Sequence, residues 1–340
     1  MSHANQVLQG DCLEILPSLP EQFYHCCVTS PPYYGLRDYD VPPTDWPEIS
    51  YKPMPGLPRI VVPSWKGCLG QEPTPEMFTA HIVHVFRAVW RTLRDDGTLW
   101  LNLGDSYASK WGVSRRNAVG NESLPDGTRK NRPDRLVNGL KEKDLIGIPW
   151  RIAFALQADD WFFRQDVVWH KPNPLPESVK DRCTKAHEYI FLFTKQHRYA
   201  FNHDAIKEPA IAGYQGSSFI RGKTLIAQNK QSTVSSKLRT ETVSRNKRSV
   251  WSIASEPCSE AHYAVMPSAL IEPCILAGSP VDGNVLDPFG GAGTTGMVCK
   301  RHRRNYTLIE LGLNNCEIAQ RRINKEPWPQ LSILDGDTAA

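Results

Sequence analysis

The chemistry-bearing residues of the chain concentrate first at Ser30-Pro31-Pro32-Tyr33, where the apolar run ending in Val28-Thr29 gives way to a hydroxyl, two prolines and two aromatic rings. Neither proline donates a backbone N–H and each fixes φ near about −65°, so Ser30 Oγ and the prolyl carbonyls are left to project as acceptors. Acceptors beside a ring suit a flat ligand that carries an amino group. A nucleobase is such a ligand: its exocyclic NH2 donates to Ser30 and to the Pro31 carbonyl while its face stacks on Tyr33. A proline turn that merely closes a core strand would use the same residues.

A second concentration lies near the C-terminus. Asn284-Val285-Leu286-Asp287 reads as a strand, Pro288-Phe289-Gly290-Gly291-Ala292-Gly293-Thr294-Thr295-Gly296 as a glycine-rich turn, and Tyr306 to Glu310 as a second strand ending in a carboxylate. Gly291-x-Gly293-x-x-Gly296 formally matches the dinucleotide fingerprint, with Glu310 placed 19 residues after Gly291 where a ribose-binding acid belongs. A nicotinamide dehydrogenase is thus one reading. Only 44 residues follow Gly296, too few for the rest of a dinucleotide domain unless its other strands lie earlier in the chain. In that case the strand ending at Ser30 can stand beside the glycine-loop strand, and a single nucleoside on the loop would face a base held at Ser30.

The elements that must position these groups follow from the patterning. Residues 6 to 39 read as strand, helix, strand, a βαβ start whose two strand ends carry Asp11 and Ser30 on one edge. Residues 40 to 66 hold seven prolines and no period, and are expected to form a long loop, a flap beside Ser30. A strong helix begins with Thr74 as cap and Pro75 in the first turn; Phe78, Ile82, Val85, Phe86, Val89, Trp90 and Leu93 share one face. Strands are expected at Thr98–Leu103, Arg164–Trp169 and Tyr189–Thr194, with a helix at Pro149–Ala158. Residues 108 to 143 are polar and without period, and read as a mobile segment.

At this point the sequence resembles a known family. Thr29-Ser30-Pro31-Pro32-Tyr33 paired with Asp287-Pro288-Phe289-x-Gly291-x-Gly293-Thr294-Thr295 is similar to the motif pair of amino-methylating DNA methyltransferases that use S-adenosylmethionine, in the subgroup where the catalytic motif precedes the cofactor motif. The blocks Gly10-Asp11-Cys12-Leu13-Glu14, Asp96 to Asn102, Trp169-His170-Lys171-Pro172-Asn173-Pro174, Ala186 to Phe191 and Val250-Trp251 with His262 to Leu270 resemble the family's intermediate segments; Met266 stands where Phe is more usual. The resemblance implies a Rossmann-like α/β fold, a mostly parallel twisted sheet with helices on both faces in circularly permuted order. It divides the chain into a catalytic half at 1–199, an inserted target-recognition region at 200–250 and a cofactor-binding half at 251–340. Phe289, Gly291 and Gly293 would shape the cofactor loop, where a side chain on either glycine would collide with the cofactor. Asp287 belongs to the same motif, Glu310 would hold the ribose hydroxyls, and Asp11 would face the adenine amino group. Thr294 and Ser268 would lie near the methionine moiety. Ser30, Pro31, Pro32 and Tyr33 would hold a flipped base. In this family the first motif position is typically Ser for cytosine and Asp or Asn for adenine, so the resemblance favours the 4-amino group of cytosine, with the 6-amino group of adenine as the alternative. Ring-carbon methylation would need a Pro-Cys nucleophile; Pro257-Cys258 and Pro273-Cys274 lack the following context and read as packing.

Composition agrees with a nucleic-acid partner without requiring one: 340 residues, 40% hydrophobic, formal net charge +4. The charge is unevenly placed. Arg221, Lys223, Lys230, Lys237, Arg239, Arg245, Lys247 and Arg248 face a single acid, Glu241, over 221–248 and are interleaved with Ser, Thr, Asn and Gln, a composition suited to phosphates and base edges of double-stranded DNA. A DNA-binding module without catalysis is the reading outside enzymes. Nine cysteines without a CxxC pair, and an N-terminus without a signal region, suggest reduced thiols in a cytoplasmic protein, bacterial or phage-encoded by resemblance. No apolar run approaches a membrane span. His81 and His84 sit one turn apart but lack a third ligand, so no metal is expected. A cognate restriction endonuclease and a monomeric or homodimeric state stay open.

Overall fold

The computed structural model describes residues 4–35, 41–108, 139–210, 244–256 and 265–328. In chain order the elements are β1 (Gln6–Gln9), α1 (Cys12–Ile15), β2 (Tyr24–Thr29), β3 (Thr44–Trp46), β4 (Ile49–Tyr51), β5 (Ile60–Val62), β6 (Trp65–Gly67), α2 (Pro75–Thr92) and β7 (Leu93–Leu103). They continue with α3 (Ile148–Ala158), β8 (Phe162–His170), β9 (His187–Thr194), β10 (Glu208–Pro209), β11 (Ser244–Arg245) and β12 (Val250–Ser252). The chain then forms α4 (Ser268–Gly278), β13 (Asn284–Asp287), α5 (Thr294–Arg301), β14 (Asn305–Glu310) and α6 (Leu313–Lys325).

Eight strands form one sheet in the order β1-β14-β13-β2-β7-β9-β8-β12, with β9 alone among them antiparallel to its neighbours. Alternation along the central strands sends side chains to two separate cores. Cys27 of β2, Leu99 and Leu101 of β7 and Phe191 and Phe193 of β9 pack with α1, α2 and α3 on one face. Cys26, Val28, Trp100, Ile190 and Leu192 pack with α4 and α5 on the other. Strands buried on both faces are the mark of a sheet sandwiched between helix layers, the Rossmann-like arrangement expected from the sequence.

The connections decide where a ligand can enter. From β2 the chain runs through α2 to its neighbour β7 on one side; from β13 it runs through α5 to β14 on the other. The loops leaving β2 and β13 therefore diverge, and the crevice between their carboxyl ends is a topological switch point. Asp11 and Ser30 follow β1 and β2 on that same edge. The expected βαβ start is corrected in one respect: β1 and β2 are parallel members of one sheet, but β14 and β13 stand between them.

α2 begins as its sequence requires, with Thr74 Oγ1 accepting from Met77 N at 3.1 Å and Pro75 in the first turn. The expected long loop at 40–66 is corrected by the structure. Within residues 41–68, β3 pairs with β6 and β4 with β5 as nested antiparallel ribbons, burying Trp46, Ile49, Tyr51 and Val62 against α2. Each strand is only three residues long and the prolines fall between them, at Pro47, Pro53, Pro55, Pro58 and Pro63, which hides any alternation. α4 carries no strong periodic signal, and α6, whose Cys316, Ala319 and Ile323 share one buried face, has no cap to mark its start. α4 is apolar nearly all round because it is buried against the sheet, and α6 follows Gly312 without a capping side chain. The segment expected at 108–143 lies for 109–138 outside the described residues.

Gly278 ends α4 where the helix approaches the sheet most closely. A Cβ there would stand 2.5 Å from Thr98 Oγ1 and 2.7 Å from Cys26 Sγ. Gly278→Ala is expected to lower the urea midpoint by the equivalent of about 1–3 kcal/mol with an unchanged m-value, and an unchanged midpoint would show that this contact yields freely.

Candidate active site

The site is built around one buried carboxylate. Asp287, at the end of β13 and 1% exposed, accepts at Oδ1 from Thr29 Oγ1 at 2.6 Å and from Phe289 N at 3.1 Å. Its Oδ2 accepts from Thr295 Oγ1 at 2.7 Å. One side chain thus ties the residue before Ser30, the start of the glycine turn and the first turn of α5. Burial pushes the Asp287 carboxyl up to about 6, against the three hydrogen bonds, which pull it down. Asp287 is expected from sequence as a cofactor-loop residue; all three partners named above are protein groups, and it works as the tie between two loops.

Ser30, Pro31, Pro32 and Tyr33 come together on one wall of a cavity of about 410 Å³. Tyr33 Oη lies 2.6 Å from Glu188 Oε2 on β9 and 3.0 Å from Asn102 Oδ1 on β7, and accepts a long hydrogen bond from Ser30 Oγ at 3.4 Å. Asn102 Nδ2 donates to Glu188 Oε2 and to the Tyr189 carbonyl, while Lys171 pairs with Glu188 and places its Nζ 4.2 Å over the Trp169 ring. The tyrosine ring is therefore held at its tip. Gly104 makes room for it, since a Cβ there would come within 2.5 Å of Tyr33 Cε2. Asn102, Trp169, Lys171 and Glu188 all line the cavity, and no role falls to them from the sequence. Their only sequence signal is membership of blocks at the ends of β7, β8 and β9.

The opposite wall is the glycine turn. Glu310 Oε2 accepts from Gly291 N at 2.9 Å, and Oε1 accepts from Gly312 N at 2.8 Å and Asn315 Nδ2 at 3.2 Å, so the carboxylate is fixed with its edge in the cavity. Phe289, Gly291 and Thr294 line the cavity as well. The two glycines differ in their reasons. Gly291 has φ +49° and a Cβ there would meet nothing closer than 3.9 Å, leaving the open cradle a ligand backbone approach needs. Gly293 has φ +79° and a Cβ would stand 2.7 Å from Ala319 Cβ, so α6 by itself already forbids a side chain there. Arg322 of α6 donates to the Ala292 carbonyl at 2.6 Å and to Thr294 Oγ1 at 3.3 Å, closing the turn from behind. Asp11 lines the cavity but its carboxylate also caps α1, accepting from Leu13 N at 2.8 Å, and accepts from Thr44 Oγ1. Ser268 is not among the cavity-lining residues; its neighbours Val265 and Met266 are.

The ribbons over residues 41–68 contribute Val41, Thr44, Trp46 and Cys68 to the cavity. Beneath them Glu72 and His81, both fully buried, face each other at 2.8 Å. Trp46 stacks on the His81 ring at 4.1 Å. Burial pushes the Glu72 carboxyl up, and the His81 hydrogen bond opposes that shift. Glu72 Oε2 also accepts from Gly70 N at 2.8 Å, and the Gly70 carbonyl accepts from Gly35 N at 2.6 Å, so the pair braces the turn that follows Tyr33. His81, weighed from sequence as a metal ligand, is instead this structural partner. Among the described residues no cluster of three His, Cys, Asp or Glu side chains could hold a metal ion, and no helix is long and apolar enough to cross a membrane.

Of the cations expected to meet DNA, Arg221, Lys223, Lys230, Lys237 and Arg239 lie outside the described residues. Arg245 has a partner within the protein: its Nε donates to Glu208 Oε1 at 2.8 Å, and Arg248 Nε donates to the same oxygen at 2.6 Å. The sequence run counted only Glu241 as an opposing acid, whereas pairing of β10 with β11 brings Glu208 across from Arg245. Lys247 lies 5.0 Å over the Trp251 ring.

A mostly parallel sheet with a glycine turn at its switch point, and an acceptor-and-ring slot on the adjoining strand, defines a methyltransferase of the Rossmann-like class. The chain belongs to the N6/N4 DNA methylase family, whose model matches residues 24–321. It is 39% identical over 318 residues to the type II methyltransferase M.SmaI of Serratia marcescens, covering 94% of this chain and 90% of that relative. Among solved structures it resembles the cytosine-N4-specific PvuII DNA methyltransferase, with a TM-score of 0.58 at 17% identity, covering 98% of this chain and 88% of that one. It also resembles a DNA modification methylase of Thermus thermophilus, TTHA0409, solved in complex with S-adenosyl-L-methionine, with a TM-score of 0.54 at 20% identity, covering 95% and 94%.

The Asp287 tie carries a pH signature. Its native pKa of about 6 exceeds the ordinary 3.8, so the native state holds a proton that the unfolded chain has released. That contribution to stability is fully present below about pH 3.8 and is lost as pH rises through about 6. Between about pH 4 and about pH 7.5 the protein is expected to lose about 2 kcal/mol that Asp287→Asn does not lose. Urea unfolding of both proteins at the two pH values checks this; parallel pH dependences would remove the assignment.

Proposed function

We propose that this protein methylates the exocyclic 4-amino group of cytosine, flipped out of duplex DNA, with S-adenosylmethionine as methyl donor. The observation that carries the reading is the hydroxyl of Ser30 at the end of β2, tied through Thr29 and Asp287 to the glycine turn of the adjacent strand. A base at one loop and a nucleoside at the other are then neighbours by construction. When bound, S-adenosylmethionine supplies an electrophilic methyl on its sulfonium. The chain's own residues do the rest.

An exocyclic amine is a poor nucleophile because its lone pair is delocalised into the ring. Ser30 Oγ and the Pro31 carbonyl accept its two N–H groups and favour a pyramidal nitrogen whose lone pair points towards the glycine turn. Tyr33, anchored at its hydroxyl by Glu188 and Asn102, offers its ring as a stacking face. Pro32 holds the turn rigid between them. On the cofactor side Glu310 accepts the ribose hydroxyls, Asp11 faces the adenine amino group, and Phe289, Gly291 and Thr294 line the loop. No covalent enzyme intermediate is required. Cys274, the described one of the two Pro-Cys cysteines, is buried in the core and burial pushes its thiol well above the usual range, so it serves packing.

Ser30, in place of a carboxylate or amide, supports cytosine over adenine, and the catalytic turn preceding the cofactor turn in the chain supports the permuted subgroup. Residues 1–199 and 251–340 would supply the two halves of this single catalytic domain, and 200–250 the reading of the DNA site. The type II designation of the relative fits a partner endonuclease acting on the same sequence.

Methyl transfer from labelled S-adenosylmethionine to unmethylated genomic DNA, followed by nucleoside mass spectrometry, is expected to give 4-methylcytosine. Ser30→Ala should lower the rate by about 100-fold or more while leaving cofactor affinity unchanged. A 6-methyladenine product would overturn the base assignment, and absence of label in DNA would overturn the whole reading.

A further inference from the structure

Leu175 is 86% exposed, more than any other large apolar side chain among the described residues. A single exposed leucine is ordinary on a protein surface. Its mounting is not ordinary. It sits in the connection from β8 to β9, within Lys171-Pro172-Asn173-Pro174-Leu175-Pro176, where prolines at 172, 174 and 176 each fix φ and stiffen the strand of chain around it.

The segment is also tied down on both sides of the leucine. Asn173 Oδ1 accepts from Ser255 N at 3.0 Å and from Ser255 Oγ at 3.3 Å, and Asn173 Nδ2 donates to the Ser255 carbonyl at 3.4 Å. The Glu177 carboxylate accepts from Arg182 at 2.6 and 3.3 Å and from Lys185 N at 3.2 Å. Lys171, at the segment's root, is bonded through its backbone N to the Ala186 carbonyl at 2.8 Å and through Nζ to Glu188. An apolar side chain is thus held out, two residues from an anchor on either side, where no described protein surface covers it. The same residue lines the mouth of the cavity that contains Ser30 and Tyr33.

We propose that Leu175 is the wedge that enters the DNA base stack and fills the space left by the target base when it turns into the Ser30 pocket. The inference rests on the base-flipping reading above and adds the residue that holds the stack open. Unstacking a base is unfavourable, and proteins offset it by inserting an apolar side chain between base steps. Leucine has the thickness and apolarity for this, and the surrounding prolines remove the entropy that a flexible loop would lose on insertion. The position matches the need, because the wedge must stand at the rim of the pocket into which the base has moved.

The test uses the site found by sequencing DNA methylated by the wild type, built into a duplex with a fluorescent cytosine analogue at the target position. On fully paired duplex, Leu175→Ala is expected to lose the fluorescence rise of flipping and to fall about 10- to 100-fold in kcat/KM, with S-adenosylmethionine affinity unchanged. On a duplex whose target base is mispaired, the stack is already weakened, and the variant should return to within about threefold of the wild type. Equal activity of variant and wild type on paired duplex would overturn the wedge, as would a loss that the mispaired duplex does not rescue. If the wild type labels no DNA at all, the parent reading fails and the wedge with it, an outcome distinct from a wild type that flips and methylates beside an unaffected variant.

Discussion

The hydrogen bond from Thr29 to Asp287 is the contact on which the crevice depends. It joins residues 258 positions apart in sequence, is fully buried, and closes the gap between the end of β2 and the start of the glycine turn. A carboxylate in such a place is unfavourable to bury, and three donors are needed to offset that. The arrangement makes sense only if the two loops must keep a fixed separation. A methyl transfer in line between two bound groups needs such a fixed distance, since a displacement of about 1 Å is enough to cost two orders of magnitude in rate.

From that tie the two walls are braced independently. The Ser30 wall is held at the tip of Tyr33 by Glu188 and Asn102 on β9 and β7, and at its backbone by the Gly35–Gly70 bond under the buried Glu72–His81 pair. The glycine turn is held by Glu310 in front and Arg322 of α6 behind. Each brace comes from a different element, so the site is held from several sides although most of its residues lie in connections. The reversed strand β9 matters here. Running antiparallel between β7 and β8, it brings its first residues, His187 and Glu188, to the edge where the other strands end, and so puts a carboxylate beside Tyr33.

What could be read in advance was local chemistry at strand ends. Ser30-Pro31-Pro32-Tyr33, the glycine turn and Glu310 stand out because each is a short contiguous pattern whose residue types are rare together. α2 was equally legible, since its cap, its proline and its apolar face all agree. The ribbons at 41–68 were hidden because three-residue strands separated by prolines leave no period to detect. The Arg245–Glu208 contact leaves no local signal, because its partners lie 37 residues apart and meet only through the β10–β11 pairing. At Gly293 the local pattern gives no sign that Ala319 of α6 packs against the position.

The sequence by itself determined the kinds of groups at the site and the class of enzyme they serve, because acceptor, ring, glycine and carboxylate are properties of residues and their near neighbours. Only the tertiary structure decided which groups face one another. That β2 pairs with β13, that Asp287 ties loops and that Glu188 and Lys171 join the Ser30 wall all depend on strand order across the whole chain. Strand order is set by burying two apolar faces at once and by hydrogen bonds between residues far apart in sequence, and neither leaves a mark within the reach of a local pattern.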